Sequence, residues 1–113
     1  MGNFKVLGLI GGEVVRSYDE QAGVNPAQVL ADAAIADTGA AISGVWIVES
    51  GDDSAVLASS SDGGTVSVSK IAGSASISVA KDTASSINVY VEGGTIQIQN
   101  TTGADATISA KIL

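Results

Sequence analysis

In Thr95-Ile96-Gln97-Ile98-Gln99 apolar and polar side chains alternate strictly, which is the two-residue period of a strand with one dry and one wet face. The same pattern belongs to a longer repeat. GGTVSVSKIAGSASISVAK, residues 63–81, lines up with GGTIQIQNTTGADATISAK, residues 93–111, with Gly73 and Gly103 in step and a one-residue insertion after them. Each copy opens on a Gly-Gly pair able to supply the positive φ angles of a tight turn, runs an alternating strand, turns again at a single Gly and returns. That predicts the same hairpin twice, at a spacing of 30 residues. Duplication and convergence on good hairpin chemistry both produce such a match in a chain so rich in Ser, Gly, Ala and Val. Two copies are too few for a solenoid.

The flanking sequence extends the β reading. Residues 86–92 supply a strand with Ile87, Val89 and Val91 on one face. Residues 42–48 contain Val45, Trp46, Ile47 and Val48, apolar on both faces as a central strand is. Residues 49–53 read as a turn, 55–59 as a short strand and 60–64 as another turn. Near the start, two apolar runs within residues 4–18 flank Gly11-Gly12 and predict a first hairpin. Residues 25–39 differ. Asn25-Pro26 has the form of a helix start, Val29, Leu30, Ala33, Ala34 and Ile35 offer a buried stripe, and Gly39 stands where a stop belongs. This predicts one short helix over residues 27–37. The competing reading is an extended arm, because an Ala-rich stretch before Gly also lies well along a neighbouring subunit. The expected fold is mainly β, an antiparallel β-sandwich or jelly roll with one short helix or extended arm in the N-terminal half. A chain of 113 residues suits a single domain, 1–113, with residues 1–40 carrying the hairpin and helix or arm and 41–113 the sandwich core.

Apolar residues make up 45% of the chain but aromatics only 4%, so the core is built from Val, Ile, Leu and Ala. Such a core is thin and tends to be completed against another subunit, which predicts an oligomer. Few Lys or Pro residues guard the strands, so exposed edges invite pairing unless an assembly covers them. Phe4, Val6, Leu7, Leu9 and Ile10 form the largest apolar cluster near a terminus, either a first core strand or an arm docking on another protein. Leaving them in water costs about 25 cal/mol per Å² of apolar area, so they are expected at a protein interface rather than in a free tail.

Chemistry is sparse. The chain has no histidine and no cysteine, which removes the commonest general base, the commonest metal ligand and the thiol nucleophile together. Asp52, Asp53 and Asp62 fall in one Gly-rich region, but adjacent acids there read as solvated turn formers, and residues 51–64 lack calcium-loop spacing. Gly8, Gly11 and Gly12 lack the spacing of a dinucleotide fingerprint and serve better as a turn. No enzyme, cofactor or metal is expected. Twelve Asp and Glu against five Lys and Arg give a net charge of −7, and Lys5, Arg16, Lys70, Lys81 and Lys111 are scattered. Nucleic acid and anionic membranes are therefore not expected partners. The apolar opening is too short and too interrupted by glycine for a signal peptide or a membrane span, and Val6 stands where a myristoylation motif needs Ser or Thr. Asn100-Thr101-Thr102 matches the N-glycosylation pattern, which operates only on a secretory route. Trp46, amid Val45, Ile47 and Val48, reads as a core plug before a sugar platform.

The closing pattern VEGGTIQIQNTTGADATISAKIL, a Gly-Gly hairpin, a strand, an Asn-x-Thr-Gly turn and a final strand, resembles the carboxyl ends of small virion proteins of tailed bacteriophages. The acidic opening half, with NPAQVLADAAIADTG leading into a β domain, is similar to the small proteins that decorate the phage head. The resemblance implies a β-rich, commonly trimeric structural protein on the outer surface of the virion. It would bind the major capsid protein at symmetry axes and reinforce the shell against internal DNA pressure. It carries over no catalytic residue. A second reading, from another class, is a carbohydrate-binding or host-adhesion β-sandwich, favoured if Trp46 and Tyr90 share an exposed face.

Overall fold

Alternation decides which side of each strand turns inward, and here it builds two sheets around one apolar interior. The computed structural model describes the backbone of residues 8–10 and 13–15 and all of residues 27–113. The strands are β1 Gly8–Ile10, β2 Glu13–Val15, β3 Gln28–Leu30, β4 Ile35–Asp37, β5 Gly44–Ser50, β6 Asp53–Asp62, β7 Thr65–Gly73, β8 Ile77–Ser78, β9 Ile87–Glu92, β10 Thr95–Asn100 and β11 Ala106–Ile112. A five-stranded sheet of order β3-β11-β5-β6-β7 packs on a four-stranded sheet of order β4-β10-β9-β8. Neighbours are antiparallel except β8 and β9, which run parallel. The result is a β-sandwich whose buried cluster draws Trp46, Leu57 and Ile108 from one sheet and Ile77, Val89, Ile96 and Ile98 from the other. Burying each such aliphatic side chain contributes about 1.5–3 kcal/mol.

β5 lies between β11 and β6, the central place expected of its apolar sequence. Trp46 points inward from it and is fully buried. Its indole Nε1 donates to Ser59 Oγ at 2.7 Å, and that hydroxyl donates to the Ile42 carbonyl at 2.6 Å, so a wide apolar ring is buried without an orphaned N–H.

Residues 27–37 are not a helix. β3 and β4 are joined by a tight turn at Asp32-Ala33, where Ala33 takes φ +67°. Val29 and Ile35, counted into a helical stripe by spacing, are 69% and 40% exposed, while Leu30 and Ala36 are buried. The segment is extended, as the arm reading had it, but it lies on this chain's own sheets: β3 pairs with β11 and β4 with β10. Two crossings from sheet to sheet thus run side by side. Asn100 locks them, its Nδ2 donating to the Leu30 and Ala104 carbonyls at 2.8 Å each, while its own N–H and C=O pair with Ala34 and Ala33. These long-range bonds outweigh the helix propensity of an Ala-rich run, which is worth only tenths of a kcal/mol per residue. Asn25 and Pro26 lie outside the described residues.

The repeat is also corrected. Gly63-Gly64 and Gly93-Gly94, all at positive φ, close two-residue hairpins with Asp62 opposite Thr65 and Glu92 opposite Thr95. After Gly73 and Gly103, however, the chain does not return beside the strand it has left. It crosses to the other sheet, from β7 to β8 in the first copy and from β10 to β11 in the second. Ile77, which opens β8, and Ile108, the third residue of β11, are both fully buried there, so each crossing fills the core from the opposite side. Gly73 shows why glycine is needed. At φ +129°, a Cβ on it would lie 2.4 Å from Ala55 Cα and from the Ser54 carbonyl oxygen.

The first hairpin is present, β1 pairing antiparallel with β2 and Ile10 facing Glu13. β1 lies against β11.

Candidate interaction surface

The outer faces of the two sheets are built differently. On the four-stranded sheet, Asn88, Tyr90, Gln97 and Gln99 point outward, and residues 79–86 fold back over Asn88, Tyr90 and Gln99. Asn88 is fully buried. Its Nδ2 lies 3.1 Å from the Thr83 carbonyl and 2.9 Å from Gln99 Oε1, and its Oδ1 accepts from Ser78 Oγ at 2.6 Å. Gln99 returns the contact, Oε1 accepting from the Asp82 N–H and Nε2 donating to Asp82 Oδ1, both at 2.8 Å. Lys81 pairs with Glu92 at 2.8 Å and sits 5.8 Å above the Tyr90 ring. Tyr90 is 6% exposed, its hydroxyl has no hydrogen-bond partner, and burial holds the phenol above its ordinary pKa. Residues 79–86 thus close the β8 and β9 side of this face, while Ile35 on β4, opposite Gln99, stays 40% exposed.

The five-stranded sheet has no such cover among the described residues. Its register sets outward side chains in cross-strand rows: Lys111, Ile47, Val56 and Ala72 in one, Val45 and Ala58 in the next. The Leu113 N–H donates to the Val45 carbonyl at 2.8 Å, which extends the second row by Leu113. Val45 is 39% exposed and Leu113 61%. Ile71, the extra residue of a bulge opposite Val56 and Leu57, is also 61% exposed. These two rows end on Lys111 and Ser69, and the rows on either side are polar, Ser109, Glu49 and Ser54 in one and Ser60 and Ser67 in the other, so the aliphatic side chains form a central patch. Contiguous exposed aliphatic side chains of this kind mark contact surfaces.

Of the residues expected at an interface from sequence, Leu9 and Ile10 belong to β1, beside β11 of this same sheet, while Phe4, Val6 and Leu7 lie outside the described residues. Sequence reading missed Ile47, Val56, Ala58 and Leu113. For Ile47 the signal was present, since residues 42–48 are apolar on both faces, but that was read as a central strand; residues 55–59 were read only as a short strand, with no face assigned.

Other sequence candidates disperse. Asp52 and Asp53 lie at the start of β6 and Asp62 at its far end, about 30 Å away at roughly 3.3 Å per residue, so the three acids do not share a turn. Among the described residues no three His, Cys, Asp or Glu side chains gather closely enough to hold a metal ion. The Asn100 side chain is buried and hydrogen-bonded, out of reach of a glycosylating enzyme in the folded protein. Trp46 faces the core and Tyr90 lies under the 79–86 loop, so the two aromatics form no shared exposed strip. No helix among the described residues is long and apolar enough to cross a membrane. Comparison of the chain with protein-family models, with curated proteins and with solved structures found no match.

Proposed function

We propose that this protein is a structural virion subunit that decorates the outer surface of a tailed-phage capsid, where it binds the major capsid protein and stabilises the assembled lattice. The observation that carries the reading is the aliphatic patch on the outer face of the five-stranded sheet, placed next to the N-terminal hairpin, in a molecule whose other face is covered in large part by its own loop. Such a surface is suited to broad, chemically passive contact with protein. A subunit that binds the assembled lattice and not its dissociated parts stabilises the lattice by mass action, by about 2.7 kcal/mol per site at a hundredfold excess over Kd. The adhesion reading asks for a shared exposed aromatic strip from Trp46 and Tyr90, and both are buried.

The test is co-sedimentation of the purified chain with heads of the phage that encodes it, stripped of the protein, and with dissociated capsid protein. Binding to heads alone, with a rise in the melting temperature of the shell, is the expected result. A chain that ignores intact heads overturns the proposal.

A further inference from the structure

Edge strands govern how a β-sandwich meets its neighbours, because one side of each carries backbone N–H and C=O groups without a ladder partner. Among the described residues the two large sheets end on β3, β4, β7 and β8. Three of these are only two or three residues long, whereas β7 runs for nine. Its first six residues are regular, paired with β6 from Asp62 opposite Thr65 to Leu57 opposite Lys70, before the bulge at Ile71. β7 contains no proline and no carboxylate. Its one charged side chain does not guard the edge, since Lys70 Nζ is drawn back to the Ser74 carbonyl at 2.6 Å.

Charge singles out the same stretch. The chain carries twelve Asp and Glu, yet none between Asp62 and Asp82, its longest acid-free interval, and all of β7 falls within it together with Lys70. In a molecule of net charge −7, this is where a second copy approaches with least repulsion.

We infer that two copies of this chain pair β7 against β7, antiparallel across a two-fold axis at Ser67, and so join their five-stranded sheets into one. With Ser67 opposite Ser67, Val66 of one copy faces Val68 of the other on the inner side, where both are already packed against the core. On the outer side Thr65 faces Ser69. Aliphatic meets aliphatic and hydroxyl meets hydroxyl, whereas a one-residue slip would oppose the two faces. The two-fold also consumes the long edge, which halts further strand addition. This pairing is independent of the capsid reading, and it departs from the trimer that the phage resemblance implies.

Sedimentation equilibrium of the full chain at micromolar concentration tests it. A species of twice the 11.1 kDa chain mass is expected. Ser67→Glu sets like charges together on the axis and should weaken self-association at least about tenfold, with the circular dichroism spectrum unchanged. Because the chain has no cysteine, Ser67→Cys should link two copies under mild oxidation, while Thr107→Cys, at an exposed position of β11, should not. A monomer, a trimer, a dimer indifferent to Ser67→Glu, or equal cross-linking at both positions overturns the inference.

Discussion

The two outer faces of the sandwich solve one problem in opposite ways. The four-stranded sheet carries amides and a phenol outward and then buries them under residues 79–86, with Asn88 and Gln99 making the polar bonds that permit it. The five-stranded sheet carries Val45, Ile47, Val56 and Ala58 outward and leaves them only partly covered by the described residues. The difference teaches where stability and association reside. A buried polar face is held by directional bonds that fail together when one member is removed. An aliphatic face contributes little to an isolated subunit and more when a partner removes it from water.

The largest effect expected from breaking this contrast is at Asn88. Asn88→Ala removes one bond each from the Thr83 carbonyl, Gln99 Oε1 and the Ser78 hydroxyl, which keep a second partner in Thr101, Asp82 and Ala80, and should cost about 1–3 kcal/mol in urea unfolding. It should also open residues 79–86 to limited proteolysis. If cleavage there stays slow, the loop is held by something other than this network.

A smaller effect of opposite sign sharpens the comparison at Tyr90. Its hydroxyl is buried without a partner, so Tyr90→Phe should stabilise the fold, by up to about 1 kcal/mol. The same residue sets an alkaline limit. Burial raises the phenol above its ordinary value of 10.0, so the folded chain holds that proton more tightly than the unfolded chain does. The stabilisation is complete below pH 10 and is lost as pH rises through the folded-state value. Melting temperatures measured from pH 9 to pH 11 should fall less steeply in Tyr90→Phe than in the parent. Lys81 is raised in the same range by its bond to Glu92, and comparing the parent with the Phe variant isolates the phenol.

The smallest change in stability is expected on the open face. Ile47→Thr combined with Val56→Thr should alter unfolding by no more than about 1 kcal/mol, since both side chains are half-exposed, yet it should abolish co-sedimentation with phage heads. A large loss of stability in this double variant would mean that the face is covered within the monomer and is not a docking surface.

How much of this was legible beforehand depends on the range of the forces involved. β5, β9, β10 and both Gly-Gly hairpins follow from local alternation and from the need for positive φ, so short windows of sequence revealed them. The corner did not, because residues 28–37 are held extended by ladders to β11 and β10 and by bonds to Asn100, all far away in sequence. Local spacing preferred a helix there. The crossings after Gly73 and Gly103 were hidden for a related reason: a single glycine marks a turn but not the layer into which the turn leads. At the interface, Leu9 and Ile10 were singled out because they belong to an apolar cluster near a terminus, while Val56 and Ala58 lay in a segment read only as a short strand. Periodicity reports that a residue is apolar, and strand order decides whether anything covers it.

The paired crossings held by Asn100 bear on how the molecule carries load. At that corner the layers are continuous through two antiparallel lengths of backbone, and a force that shears one sheet over the other is resisted by main-chain bonds acting in tension. Aliphatic packing by itself would yield under such a pull. A subunit held by one face under such a pull would therefore deform as a unit rather than delaminate.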